Sequence, residues 1–236
     1  GLIPNVFADA TSAAMPAYNA ADTSLWFVLM VHAVARAARD AGQGERLPMK
    51  TLREAVCSII QHHVRGVPLL GISIDPADGL LIAISNDGAP LTWMDARRGG
   101  VTFTRRDGKP VEMNALWINA LHAGAELLAE DDPAESKRLR GRAQRAAESF
   151  PAAFWNDERG CLHDCLHRNP EAPGGWSPDP RLRPNQLFAL SLPACPLDEA
   201  QQRSVLLACR EHLLTPFGLR TLAPHEPGYI GRFEGD

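Results

Sequence analysis

Six stretches of this chain return apolar residues at helical spacing, and nearly all are separated by long loops rich in Gly, Pro and polar residues. That alternation limits the fold more than any other feature. The first stretch covers 24–41, with Asp22 or Thr23 placed to cap it and Gly42 to stop it. The others cover 49–65, 112–129, 133–150, 183–192 and 197–214. Residues 79–84, 101–104 and 161–167 read as short strands between them. Pairs of helices joined by elaborate loops suggest an all-α toroid with small hairpins at one rim, since a plain bundle uses shorter connections.

A chain of 236 residues that is 45% hydrophobic can bury one substantial core. The net charge of −4 offers no basic field for nucleic acid or an anionic membrane surface. The longest apolar run, 25–38, is interrupted by His32 and Arg36 and is too short and polar to span a bilayer. No signal peptide is visible at the start. Five scattered cysteines without a CxxC pair suggest reduced thiols and a cytoplasmic setting. The start without Met and the loop-like end at 230–236 read as a fragment, a single partial domain over 1–236.

Polar and aromatic residues gather in loops at helix starts. Tyr18, Asn19, Asp22 and Trp26 form the first cluster. Asp22 serves equally as a helix cap or as a carboxylate for sugar hydroxyls, with aromatic faces covering the C–H face of a pyranose. In the second cluster Asp95 follows Trp93 and Met94. An acid set against apolar groups has its pKa raised, as a general acid for a glycosidic bond requires, although a loop aspartate is the plainer reading. Glu112 stands where a helix dipole favours a carboxylate, and Asn114 shares a face with Trp117, which is equally a core residue. Asn185 and Gln186 are uncharged groups for hydroxyls, and Arg220 is a donor-only group.

The run Cys161-Leu162-His163-Asp164-Cys165-Leu166-His167 invites a metal reading, because its Cys and His residues share one face of a strand. Its outer two would stand about 20 Å apart at the rise of a strand, so they cannot hold one ion together. A rim strand is the better account, and no metal is assigned. The adjacent His62 and His63 diverge around a helix and read as structural.

Taken in order, these clusters resemble the amylo-α-1,6-glucosidase part of glycogen debranching enzymes. Residues 18–27 are similar to a YNxxDxSLWF signature, 91–95 to LTWMD, and 109–117 to KPVEINALW with Met113 for Ile. Residues 183–186 (RPNQ) and 218–222 (GLRTL) match two further segments. The resemblance spans almost the whole chain. It implies an (α/α)6 toroid that removes the α-1,6-linked glucose at a glycogen branch with inversion, without metal or organic cofactor. It implies Asp95 as general acid and Asp22 as a hydroxyl-binding carboxylate. Trp26 and Trp93 are the implied sugar platforms, and Tyr18, Asn19, Glu112, Asn114, Asn185, Gln186 and Arg220 line the site. Glycogen or another branched α-glucan is the expected partner, with neither nucleic acid nor membrane. The base that inversion needs lies, by the same resemblance, beyond the GLRTL segment. Glu226, Glu234 and Asp236 match no base motif. A trehalase or glucoamylase-like inverting toroid, a non-catalytic glycan-binding module and a helical scaffold are the competing readings.

Overall fold

The computed structural model describes residues 1–7, 15–85 and 88–232; Glu234 and Asp236 lie outside them. Six α-helices form: α1 (Thr23–Asp40), α2 (Met49–Arg65), α3 (Val111–Leu127), α4 (Pro133–Phe154), α5 (Leu187–Ser191) and α6 (Glu199–His212). The centre is α3. All of its residues are buried except His122 and Glu126, as expected for a helix that is apolar almost all round. Helices α1, α2, α4 and α5 pack on it. A Cβ built on Gly124 would sit 2.4 Å from Ile60 Cδ1 of α2 and 3.2 Å from Leu139 Cδ1 of α4, so the missing side chain lets three helices meet closely.

The connections carry short antiparallel strands. β1 (Ile72–Ile74) pairs with β2 (Leu81–Ala83), and β3 (Ala96–Arg98) pairs with β4 (Val101–Phe103). β5 (Lys109–Pro110), β8 (Cys165–Arg168) and β9 (Trp176–Asp179) form a three-stranded sheet with β8 in the middle. β6 (Trp155–Asn156) pairs with β7 (Cys161–Leu162), and β10 (Leu214–Thr215) with β11 (Gly218–Leu219). The chain is therefore a helical domain with small β-hairpins in its loops. Among the described residues no helix is long and apolar enough to cross a membrane.

Local signals explain most boundaries. Asp132 caps α4 by accepting from Glu135 N at 2.9 Å, and Asp198 with Gln201 forms a capping box on α6. Two expectations change. Helix α4 does not stop before Pro151 but continues to Phe154, because Phe150 and Phe154 are fully buried with ring centroids 4.7 Å apart. That packing outweighs the backbone bond that proline removes. The stretch 161–167 is not one strand but two, β7 and β8, which pair with different neighbours. The break at His163 and Asp164 removes the shared face on which the Cys and His residues would have stood.

Candidate functional site

The loop entering α1 and the loop before β3 lie side by side, joined by a hydrogen bond from Ala21 N to Leu91 O at 2.7 Å. This contact brings the Asp22 segment beside the Asp95 segment. The Asp95 carboxylate accepts from Leu91 N (2.8 Å), Thr92 N (2.7 Å) and Thr92 Oγ1 (2.7 Å). The turn is thus closed on its own last residue, which sets the directions of Trp93 and Met94 between them. Asp95 is held by donors and not merely set against apolar neighbours.

Asp22 occupies the N-cap position of α1, yet its side chain makes no capping bond. It is 8% exposed. Burial raises its pKa, the Asp95 charge adds in the same direction, and the backbone N–H groups of Asp22, Thr23 and Trp93 pull against both.

Two aromatics frame this pair. Trp93 is 51% exposed, and its ring meets Phe188 edge-on at 6.3 Å. Trp26 meets the same Phe188 ring at 5.8 Å. Phe188, on α5, therefore links both tryptophans. Tyr18 faces elsewhere, lining a cavity of about 380 Å3 with Leu2, His62, Val67 and Leu69. Asn19 donates its backbone N–H to Asn5 Oδ1 at 3.3 Å.

Behind the Asp95 loop lies a buried ionic network. Arg106 is 2% exposed. It donates to Glu112 through Nε (2.9 Å) and Nη2, to the Asp164 carboxylate through Nη1, and to the Asp164 backbone carbonyl through Nη2 (3.0 Å). Asp164 also accepts from Asn185 Nδ2 at 2.7 Å, and Arg183 Nε stands 3.6 Å from it. Asn185 Nδ2 and Arg183 Nη1 approach Met94 Sδ at 3.4 Å and 3.8 Å, while Arg183 Nη1 donates to Thr221 O at 3.0 Å. The network thus joins the Asp95 turn to the start of α3, to the break before β8 and to the segment after β11. Burial opposes the Arg106 charge, but Glu112 and Asp164 outweigh it and hold the guanidinium more firmly protonated. One guanidinium serves two carboxylates, and the cost falls on Glu112. Burial, helped by Asp164, pushes its pKa up against the pull of Arg106.

This network corrects several expectations about lining groups. Glu112 is fully committed to Arg106 and is not at the surface. Asn114 accepts from Leu81 N (2.6 Å) and donates to Leu81 O (3.1 Å) and Pro110 O (3.0 Å), so it clamps β2 to α3. Gln186 accepts from Leu162 N and donates to Arg183 O, both at 3.0 Å. All three hold the frame. Asn185 is also buried, but its Oδ1 has no partner among the described residues. Arg220 is half-buried, and its neighbour Thr221 is the residue that reaches the network. The residues sequence reasoning missed are Arg106, Asp164 and Phe188. Asp164 was hidden by the single-strand reading of 161–167.

A second cluster flanks the network. Burial alone would raise the pKa of Asp179, but the His167 ring, with Nε2 3.8 Å away, and the bonds from Arg181 outweigh it and hold the carboxyl well below its ordinary range. The same contact raises the pKa of His167 against the opposing effect of burial. Stability from the raised His167 is complete below about pH 6.5 and is lost as pH rises through the higher folded value. Stability from the depressed Asp179 is present above its ordinary 3.8 and is lost as pH falls below that. Asp179→Asn should therefore destabilise more at pH 5.5 than at pH 8.5, by about 0.5 kcal/mol once solvent screening of the partly exposed His167 is allowed for. Urea denaturation at both pH values measures the difference, and equal losses would rule out the His167 contribution.

With this geometry in view, similarities to known proteins place the chain. The fold is similar to that of a rhamnosidase from Klebsiella oxytoca with rhamnose bound, at a TM-score of 0.52 and 14% identity. The likeness covers 84% of this chain and 32% of the rhamnosidase, so the chain spans about a third of that protein's length. The fold is thus of a class found in glycoside hydrolases. The chain belongs to the amylo-alpha-1,6-glucosidase family, whose sequence model matches residues 1–236. No curated protein matches it.

Proposed function

We propose that this chain is the acid-bearing part of an inverting glycoside hydrolase, an (α/α)6 toroid that removes α-1,6-linked glucose from branch points of glycogen or a related α-glucan. The observation that carries this reading is the placement of the Asp95 turn side by side with the buried Asp22, with Trp26 and Trp93 joined through Phe188 beside them. Asp95 gives its proton to the glycosidic oxygen as the bond breaks. Asp22, buried beside it, accepts hydrogen bonds from hydroxyls of the departing glucose. Trp26 and Trp93, tied through Phe188, cover a pyranose face. Asn185 Oδ1, buried and unpartnered, is a further acceptor for a hydroxyl.

Inversion also takes a base acting on water across the ring, about 6.5–9.5 Å from the acid. Following the family resemblance, that carboxylate comes from chain beyond Asp236. The 236-residue chain by itself is then expected to release no glucose from a branched limit dextrin, and robust release by it would refute the assignment. No metal or organic cofactor is required by this chemistry. The five cysteines are all free, which suits a cytoplasmic protein.

The test of the function uses the complete polypeptide that carries this chain. Glucose release from a branched limit dextrin, with β-glucose as the first anomer seen by proton NMR, supports the reading. Initial α-glucose overturns inversion. Release from trehalose or from linear chain ends alone overturns the α-1,6 specificity, and binding without turnover leaves a glycan-binding module.

A further inference from the structure

On the flank of the domain formed by α2 and α4, a chain with a net charge of −4 concentrates arginine. Two clefts adjoin there. The smaller, about 220 Å3, lies between α2 and α4 and is lined by Arg65, Arg138 and Arg142 with Glu135. The larger, about 620 Å3, shares Val64, Arg138 and Arg142 with it and adds Arg145, Ile74 and the edge of Trp117. The spacing of 138, 142 and 145 puts all three arginines on one face of α4.

The arginines are not neutralised within the domain. Among the described residues Arg65 and Arg142 make no hydrogen bond or ion pair. Arg138 gives only its Nε to Glu135, at 2.5 Å. Arg145 donates to the backbone carbonyls of Pro76 and Ala77, which carry no charge. Asp75, which also lines the larger cleft, shares the Lys109 ammonium with Asp78, each at 2.6 Å. Glu135 and Asp75 are thus the carboxylates that line these clefts beside four guanidinium groups.

We propose that these clefts form a binding site for a phosphate monoester on a sugar-sized body. A monoester carries about −1.5 to −2 charge at pH 7 and three acceptor oxygens, a match for guanidinium forks that two helices supply to one cleft. The small cleft takes the phosphate. The larger cleft, with Val64 and Ile74 along its wall, has the size of a small-ligand site. The phosphate part rests on the arginines alone, whereas the sugar body rests on the glycosidase reading above. Two sources supply this chemistry: a free hexose phosphate, or a phosphate ester on a glucan chain.

The 236-residue chain is titrated at constant ionic strength with inorganic phosphate, glucose 6-phosphate, glucose 1-phosphate and glucose, followed by calorimetry and phosphorus NMR. Saturable binding of inorganic phosphate and tighter binding of a hexose phosphate are expected. The Arg65→Gln/Arg142→Gln variant, altered at two exposed positions, should keep its unliganded melting temperature. It should weaken phosphate binding about tenfold for each guanidinium removed. A phosphorylated glucan fragment that outcompetes the free hexose phosphates identifies the ester as the source; the reverse order identifies the free sugar. Absence of saturable phosphate binding, or undiminished affinity in the folded double variant, overturns the site. Equal affinity for inorganic and hexose phosphate overturns the sugar part. Because the inorganic phosphate titration involves no glycosidic bond, its failure is separate from failure of the hydrolase reading.

Discussion

Asp95→Asn is expected to slow hydrolysis of a branched limit dextrin by the complete polypeptide about a thousandfold, with sugar binding retained. The variant keeps the shape of the side chain and removes the proton that the leaving oxygen needs. The amide oxygen can still accept from Thr92 N and Thr92 Oγ1, while its NH2 would face Leu91 N, so one of three closing bonds is lost. That loss alone could loosen the turn, so the comparison must separate chemistry from structure. Glucosyl fluoride supplies the separation, because fluoride departs without a proton. A general acid is needed for the dextrin and not for the fluoride, so the variant should keep most of its fluoride turnover. Near-normal dextrin rates would remove Asp95 from the acid role. An equal collapse on both substrates would make it a structural residue of the turn.

Arg106→Leu is expected to have the largest effect on the fold, a loss of about 3–5 kcal/mol. The substitution strands Glu112 and Asp164, which are buried around one guanidinium with four hydrogen bonds to it. Arg106→Lys should not rescue the loss, because a point charge cannot reproduce a fork that grips two carboxylates. The pH dependence has a definite sign. With its guanidinium partner gone, Glu112 keeps the burial that raises its pKa and loses the charge that lowers it. Between the unfolded and folded values the folded state then binds more protons, so the variant should lose stability as pH rises above about 4.5. Urea midpoints for the 236-residue chain at several pH values measure both effects. A loss below about 1 kcal/mol, or a variant no steeper with pH than the parent, would show that the network is not holding the site together.

Much of the frame was legible in the sequence because its signals are local. The stop of α1 before Gly42 acts within a turn of the helix it bounds, as do the caps Asp132 and Asp198 that the structure adds. The strands within 101–104 and 79–84 were visible as short β-rich runs. Helix α4 overran its expected end because the packing of Phe150 on Phe154, invisible to a proline rule, decided the matter. Strands β1 and β9 had no periodicity long enough to read, being three and four residues.

The site divides the same way. Residue type and motif order determined the family and singled out Asp22, Asp95, Trp26 and Trp93 as the residues on which the proposed chemistry rests. Only the tertiary structure decided that Glu112, Asn114 and Gln186 are framework and that Tyr18 faces another cavity. It also decided that Arg106 and Asp164, 58 residues apart, form the buried joint behind the Asp95 turn. The physical reason is range. Caps, periodicity and turn chemistry depend on neighbours a few positions away, and those are written along the chain. Whether a carboxylate faces a ligand or an arginine depends on which distant segment folds over it, and that is settled only when the loops close around α3.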